Sequence, residues 1–134
     1  MNISNFDDYL SLARSQVEAQ RLLFVFTGAE LPSDASSAER ERFERNEGGE
    51  LTPLMCVDKS LSELTHFDAL VAEAAGAGPP WSILFTAALS GRNGGLPSSA
   101  DAEAPLQRMI ESIKSGDLQG MLPFDRHGEP VQFI

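Results

Sequence analysis

Apolar positions along the chain gather in three short runs, Leu22-Leu23-Phe24-Val25-Phe26, Leu54-Met55-Cys56-Val57 and Trp81-Ser82-Ile83-Leu84-Phe85-Thr86-Ala87-Ala88-Leu89. Rich in aromatic and branched side chains and not strictly alternating, they suit strands buried on both faces better than half-exposed ones. Helical spacing fills the intervals. Phe6, Tyr9, Leu10, Ala13 and Val17 recur three or four apart behind a Ser4–Asp7 cap, through about Ala19. A second capping box, Ser60 with Glu63, heads a helix with Leu61, Leu64, Phe67, Leu70, Val71 and Ala74 on one face, stopped by Gly76-Ala77-Gly78-Pro79-Pro80. A third helix runs from about Ser99 to Ser115; Pro105 places its first turn near Ala104, where proline is tolerated, and Gly116 closes it.

Between the first two strands lies a polar excursion. Ser36 with Glu39 caps Ala38-Glu39-Arg40-Glu41-Arg42-Phe43-Glu44-Arg45, in which only Ala38 and Phe43 can anchor to a core, and Gly48-Gly49 ends it. Because this stretch buries little, strands one and two form either a parallel crossover or a long-looped antiparallel pair. Pro53 marks the second of them, Leu51 to Val57, as an edge strand or as a strand just beginning. Near the C-terminus Met121-Leu122-Pro123-Phe124 and Val131-Gln132-Phe133-Ile134 flank Asp125-Arg126-His127-Gly128-Glu129, which has the turn chemistry of a hairpin with a left-handed glycine. The pattern predicts an α/β protein of α+β character: a single domain over residues 1–134, with a mixed four- or five-stranded sheet layered with helices and a C-terminal β-hairpin.

Composition adds limits. A chain of 134 residues buries roughly 68% of its unfolded surface around one core without a disulfide or a structural metal. One cysteine, Cys56, excludes an internal disulfide and any cysteine-rich metal site, and fits a reducing compartment. No basic-then-apolar leader opens the sequence, and no apolar run has the length of a membrane span, so a cytoplasmic location is expected. Twenty acidic against ten basic side chains give a formal charge of -10, which opposes duplex nucleic acid and anionic lipid but leaves room for one local basic patch holding a small anion.

Candidate chemistry is sparse. The loop Ser90-Gly91-Arg92-Asn93-Gly94-Gly95 follows a strand and precedes a helix, where backbone N–H groups can cradle a phosphate, yet it lacks both the Lys-Ser/Thr of a nucleotide loop and the three-glycine dinucleotide spacing. Lys59, at the end of strand two, is a second candidate cation, and Arg126 in the hairpin turn is a third if its strand lies beside strand three, so that it shares a rim with Arg92. Ser90, Gly91, Arg92, Asn93, Gly94, Lys59 and Arg126 are therefore the candidate anion-binding residues. Cys56 is read as a small core residue, and His66 as a surface or boundary residue. No catalytic residue, metal ligand or cofactor is assigned.

Taken together, Gln20–Phe26, Leu54–Lys59, Ala87–Arg92 and Pro123–Val131 resemble a family of small proteobacterial proteins often labelled "ribonucleotide reductase subunit alpha". The catalytic chains of that enzyme have a much longer barrel with a radical cysteine and a separate redox pair, roles that Cys56 alone cannot fill, so the resemblance carries no catalytic residue. Leu22 to about Ala74 is also similar to the N-terminal domain of serine-sensitivity enhancer proteins, which implies a binding or regulatory module. That module is the expected function, engaging another protein through the sheet edge or the Arg40–Arg45 helix. The alternative is a small enzyme or nucleotide- or anion-responsive domain built on the strand-end loops around Asp58, Lys59, Arg92 and Asp125; a third reading is an accessory factor of ribonucleotide reductase.

Overall fold

The computed structural model describes residues 3–30, 33–45, 50–64, 66–92 and 94–132. Four strands, β1 (Gln20–Glu30), β2 (Glu50–Ser60), β3 (Ile83–Ser90) and β4 (Leu122–Phe124), form one sheet in the order β2-β1-β3-β4. Every pairing is antiparallel, so the α/β single-domain architecture holds while the expected mixture of strand directions does not. The reason lies in the polar excursion. Its helix α2 (Ser37–Glu44) is capped by Ser36 and Glu39 as the sequence implies, but Ala38 is exposed and the Phe43 side chain lies outside what is described. A crossover helix must bury a face on the sheet it crosses, and α2 has too little apolar surface for that. The chain therefore turns back, and β2 pairs beside β1 from Arg21↔Ser60 to Glu30↔Glu50.

Two other helices do cover the sheet. Helix α3 (Phe67–Ala77) carries the chain from β2 over β1 to β3, and α4 (Ser99–Ser115) connects β3 to β4. Side chains on a strand alternate between its faces, so β1 supplies two cores at once. Leu22, Phe24 and Phe26 pack with Leu84, Phe124, α3 and the first helix α1 (Phe6–Arg14); Leu23 and Val25 pack with Phe85 and the α4 stripe Ala102, Leu106, Met109 and Ile113. The result is three layers. In the first core, Phe6 lies 4.9 Å from Phe67 and 5.2 Å from Phe124, ring centre to ring centre, and so joins α1, α3 and β4.

Several local expectations are corrected. Helix α1 ends at Arg14, and Val17, assigned to its apolar face, is fully exposed in the turn before β1. The Ser60–Glu63 cap exists, but it heads only a single 3-10 turn, Leu61–Glu63. The following helix starts afresh at Phe67, with the His66 Nδ1 accepting from Ala69 N–H as its cap. Helix α4 does begin at Ser99 despite Pro105, because Ser98 and Asp101 close a full capping box and the apolar stripe on both sides of the proline is buried. Gly116 ends it with a φ of 81°, the left-handed geometry that glycine adopts without strain. The hairpin after β4 forms around Gly128 (φ 79°), with Phe124 bridged to Pro130 and Val131 N–H donating to Pro123; residues 133 and 134 lie outside the described part.

Phe24 is fully buried at the middle of the central strand, so Phe24→Ala should destabilise the protein by about 3–5 kcal/mol in urea-unfolding experiments. The same substitution at exposed Val17 should change stability by less than about 0.5 kcal/mol.

Candidate functional site

Two regions gather the residues that chemistry would need: the strand ends near Ser90 and the free edge of β2. At the strand ends Arg21 sits on the α4 side of β1, in register with Ser60 and Leu89. Only 11% of its side chain is exposed, and it donates from Nη1 to Asp58 Oδ2 at 2.7 Å and from Nε to the Pro97 carbonyl at 2.6 Å. Asp58 also accepts from the Ser99 hydroxyl at 2.7 Å, and Glu63 lies 3.6 Å from the same guanidinium. One cation thus ties β1, β2, the 3-10 turn and the entry to α4 together.

Beside this knot a cleft of about 420 Å³ is lined by Ser90, Gly91, Arg92, Gly95, Leu96, Pro97 and Asp101. It contains most of the glycine loop, but two of the loop's N–H groups are already engaged. Gly91 N–H donates to Ala19 O at 2.8 Å and Gly95 N–H to Arg92 O at 2.9 Å, so the backbone bonds to itself. A Cβ on Gly91 would collide with the Gly95 carbonyl, which makes close packing of the chain the reason for glycine there. Ser90 bonds the Gln20 side chain. The Asp101 carboxylate caps the α4 N-terminus, the place an anion would take.

The other predicted cations do not converge on this cleft. Lys59 lies at the same end of the sheet but on the opposite face, with Nζ 2.8 Å from Glu73 of α3. Arg126 is exposed in the hairpin turn just after Phe124, the partner of Leu84, whereas Arg92 is eight residues beyond Leu84. At about 3.3 Å per residue, roughly 25 Å of strand separates the two arginines, and the shared rim expected for them does not form. Asp125 stays at the far end too, accepting from His127 and Glu129 N–H within its own turn. Gly94 is exposed with a φ of 77°, and Asn93 lies outside the described residues.

The second region is the edge. The outer side of β2 has no strand partner among the described residues. A register shift between Phe26 and Thr27, with Phe26 opposite Met55 and Thr27 opposite Pro53, leaves Leu54 as an extra residue. Leu54 and Met55, though consecutive, both pack on the first core, as does Val57. Between β2 and α3 runs a groove of about 310 Å³ lined by Phe26, Met55, Val57, Leu70, Glu73, Ala74 and Ala77, with Cys56 also at its border. Cys56 is exposed and not buried as expected, because the strand that carries it is the edge and alternation turns its side chain away from the first core. Gly78 approaches Met55 so closely that a Cβ would strike its sulfur.

A smaller pocket brings together His66, His127, Asp7 and Asp68 where α1 and α3 begin. Sequence separation hides that meeting. The His66 Nδ1 is occupied as a helix cap, and no cluster among the described residues has the geometry to hold a metal ion. Nor is any described helix long and apolar enough to cross a membrane. Compared with family models, curated proteins and solved structures, the chain matches none.

Three ionisable groups are displaced from their ordinary values. Burial pushes the Tyr9 phenol up; the nearby Thr86 hydroxyl donates to Leu122 O instead of bonding the phenol oxygen. Bonds from the Ser60 backbone and hydroxyl, with weaker attraction from Arg21 and Lys59, hold Glu63 low; bonds from the Ser98 backbone and hydroxyl do the same for Asp101. Since both carboxyls titrate lower when folded, their contribution is present above the ordinary carboxylate range and lost as pH falls through the lowered values.

Replacing Arg21 with methionine leaves Asp58 without its cation and should cost about 3 kcal/mol by chemical denaturation, whereas Asp58→Asn, which can still bond Ser99, should cost less. A Glu63→Gln/Asp101→Asn variant retains acceptors in both caps but loses their titration, so its melting temperature should fall less than the parent's between neutral pH and about pH 3.

Proposed function

We propose that this protein is a binding module that takes an extended segment of another protein as a fifth strand along β2. The observation that carries the reading is the outer edge of β2, which has no strand partner among the described residues, beside an apolar groove, the combination that strand addition uses: backbone groups supply the ladder and adjoining pockets take alternate side chains. Middle positions Met55, Cys56 and Val57 carry no charge and no proline, the usual devices that blunt an edge. The groove continues the first core outward, since Met55 and Val57 already pack on it and Leu70 and Ala74 belong to it. Side chains pointing inward from an added strand would meet apolar surface on α3 while their neighbours point towards Cys56.

The strand-end cleft supports catalysis or anion sensing less well, because the Gly91 and Gly95 N–H groups are paired and Asp101 already fills the helix end. Its ion pair and caps serve to join β1, β2 and α4.

The reading is tested by selecting binders of the full chain from a random-peptide phage library and mapping one by amide chemical shifts. Binding should perturb Met55–Lys59 together with Leu70, Ala74 and Ala77, and should slow exchange of the β2 amides that do not pair with β1. A footprint confined to Gly91–Asp101, or no selected binder, would refute it.

A further inference from the structure

We infer that a trough between the second half of β3 and the flank of α4 binds a small carboxylic acid with an apolar body, its carboxylate held by Arg108. Mismatched elements make the trough. β4 pairs only with Leu84, Phe85 and Thr86 of β3, so Ala87 to Ser90 have no outer strand among the described residues. Helix α4 packs chiefly over β1 and β2, so this stretch of β3 is not squarely covered by a helix either. The chain arriving at β4 turns at Gly120 (φ 82°) and closes the far wall. A space of about 390 Å³ results, within the usual range of ligand clefts. Its floor is the second core seen from outside: Leu23 and Met109 are buried, and Ala87, Leu89 and Met121 pack against them only partly covered. Such a floor accepts hydrocarbon.

The rim fixes the charge of the ligand. Arg108 lines the trough, as do Gln119 and Ser112, which is one helical turn beyond the arginine and so on the same face of α4. None of these three side chains has a hydrogen-bond or ion-pair partner among the described residues. No carboxylate lines the trough, and exposed Glu111, three residues along α4 from the arginine, is not part of it. The other cations at the strand ends differ: Arg21 and Lys59 are ion-paired, and Arg92 shares its cleft with Asp101. In a chain of formal charge -10, Arg108 therefore faces an apolar cleft with its charge uncompensated. One guanidinium matches one carboxylate through two parallel N–H···O bonds, and the Ser112 hydroxyl and Gln119 amide are further donors at the same rim.

Titrating the full chain with octanoate, and separately with octanol and octylammonium, tests the inference through methyl chemical shifts. Octanoate should move the methyl signals of Leu23, Ala87, Leu89, Met109 and Met121 to saturation. Octanol and octylammonium, with the same hydrocarbon but no negative charge, should bind at least about fivefold more weakly. Arg108→Gln should bring octanoate down to the level of octanol while leaving the circular dichroism spectrum and the melting temperature unchanged, since the exposed arginine has no partner to lose. Equal binding of octanoate and octanol, or octanoate binding that survives Arg108→Gln, would overturn the inference. So would the absence of saturable shifts, or shifts confined to Met55, Leu70 and Ala74 in the groove beside β2.

Discussion

The structure depends on β1 being covered on every side. From Leu22 to Phe26 each consecutive side chain is at most 2% exposed, which requires a strand on each flank and helices above and below. Such a strand leaves the rest of the chain few choices. β2 and β3 supply the flanks, α1 and α3 one face, and α4 the other. Since both flanking strands run antiparallel to β1, they run parallel to each other, and α3 has to pass over β1 to join them. That passage lays α3 beside β2 and creates the groove.

The Arg21 knot shows how a polar group is accommodated at the end of such a strand. Its guanidinium is close to buried, and burial of a lone cation would be prohibitive, so two acceptors and a second nearby carboxylate surround it. Asp58 is in turn shared with Ser99, which couples the placement of α4 to the pairing of β1 with β2. The glycine loop beside it is tight for the same reason. It has to bring Pro97 back to the arginine within a few residues of the end of β3, and the close approach of Gly91 to Gly95 is how it does so.

Covering β1 is also what exposes β2. The polar helix α2 has little apolar surface to lay over anything, so the strand that follows it remains at the margin, half-buried where β1 is sealed. Pro53 and the bulge restrain one half of that margin. The other half has no strand partner among the described residues.

Much of the fold was legible because it depends on local patterns. The strand runs, the Ser60 and Ser36 caps, the Gly116 stop, the edge character marked by Pro53 and the hairpin glycine at 128 all follow from periodicity, turn chemistry and backbone constraints that operate over a few residues. The site was much less legible. Arg21 stood at the head of an apolar run, and its position two residues before Leu23 placed it on that face, but nothing local named Asp58, Pro97 or Ser99 as its partners. By itself the sequence determined which segments are strands and helices and that the second strand tolerates an edge. Only the tertiary structure decided that all strands run antiparallel, that Arg92 and Arg126 stand a strand length apart, that Cys56 is exposed, and that α3 and β2 enclose a groove. These are relations between residues distant in sequence, set by which apolar faces find cover, and no short-range pattern encodes them.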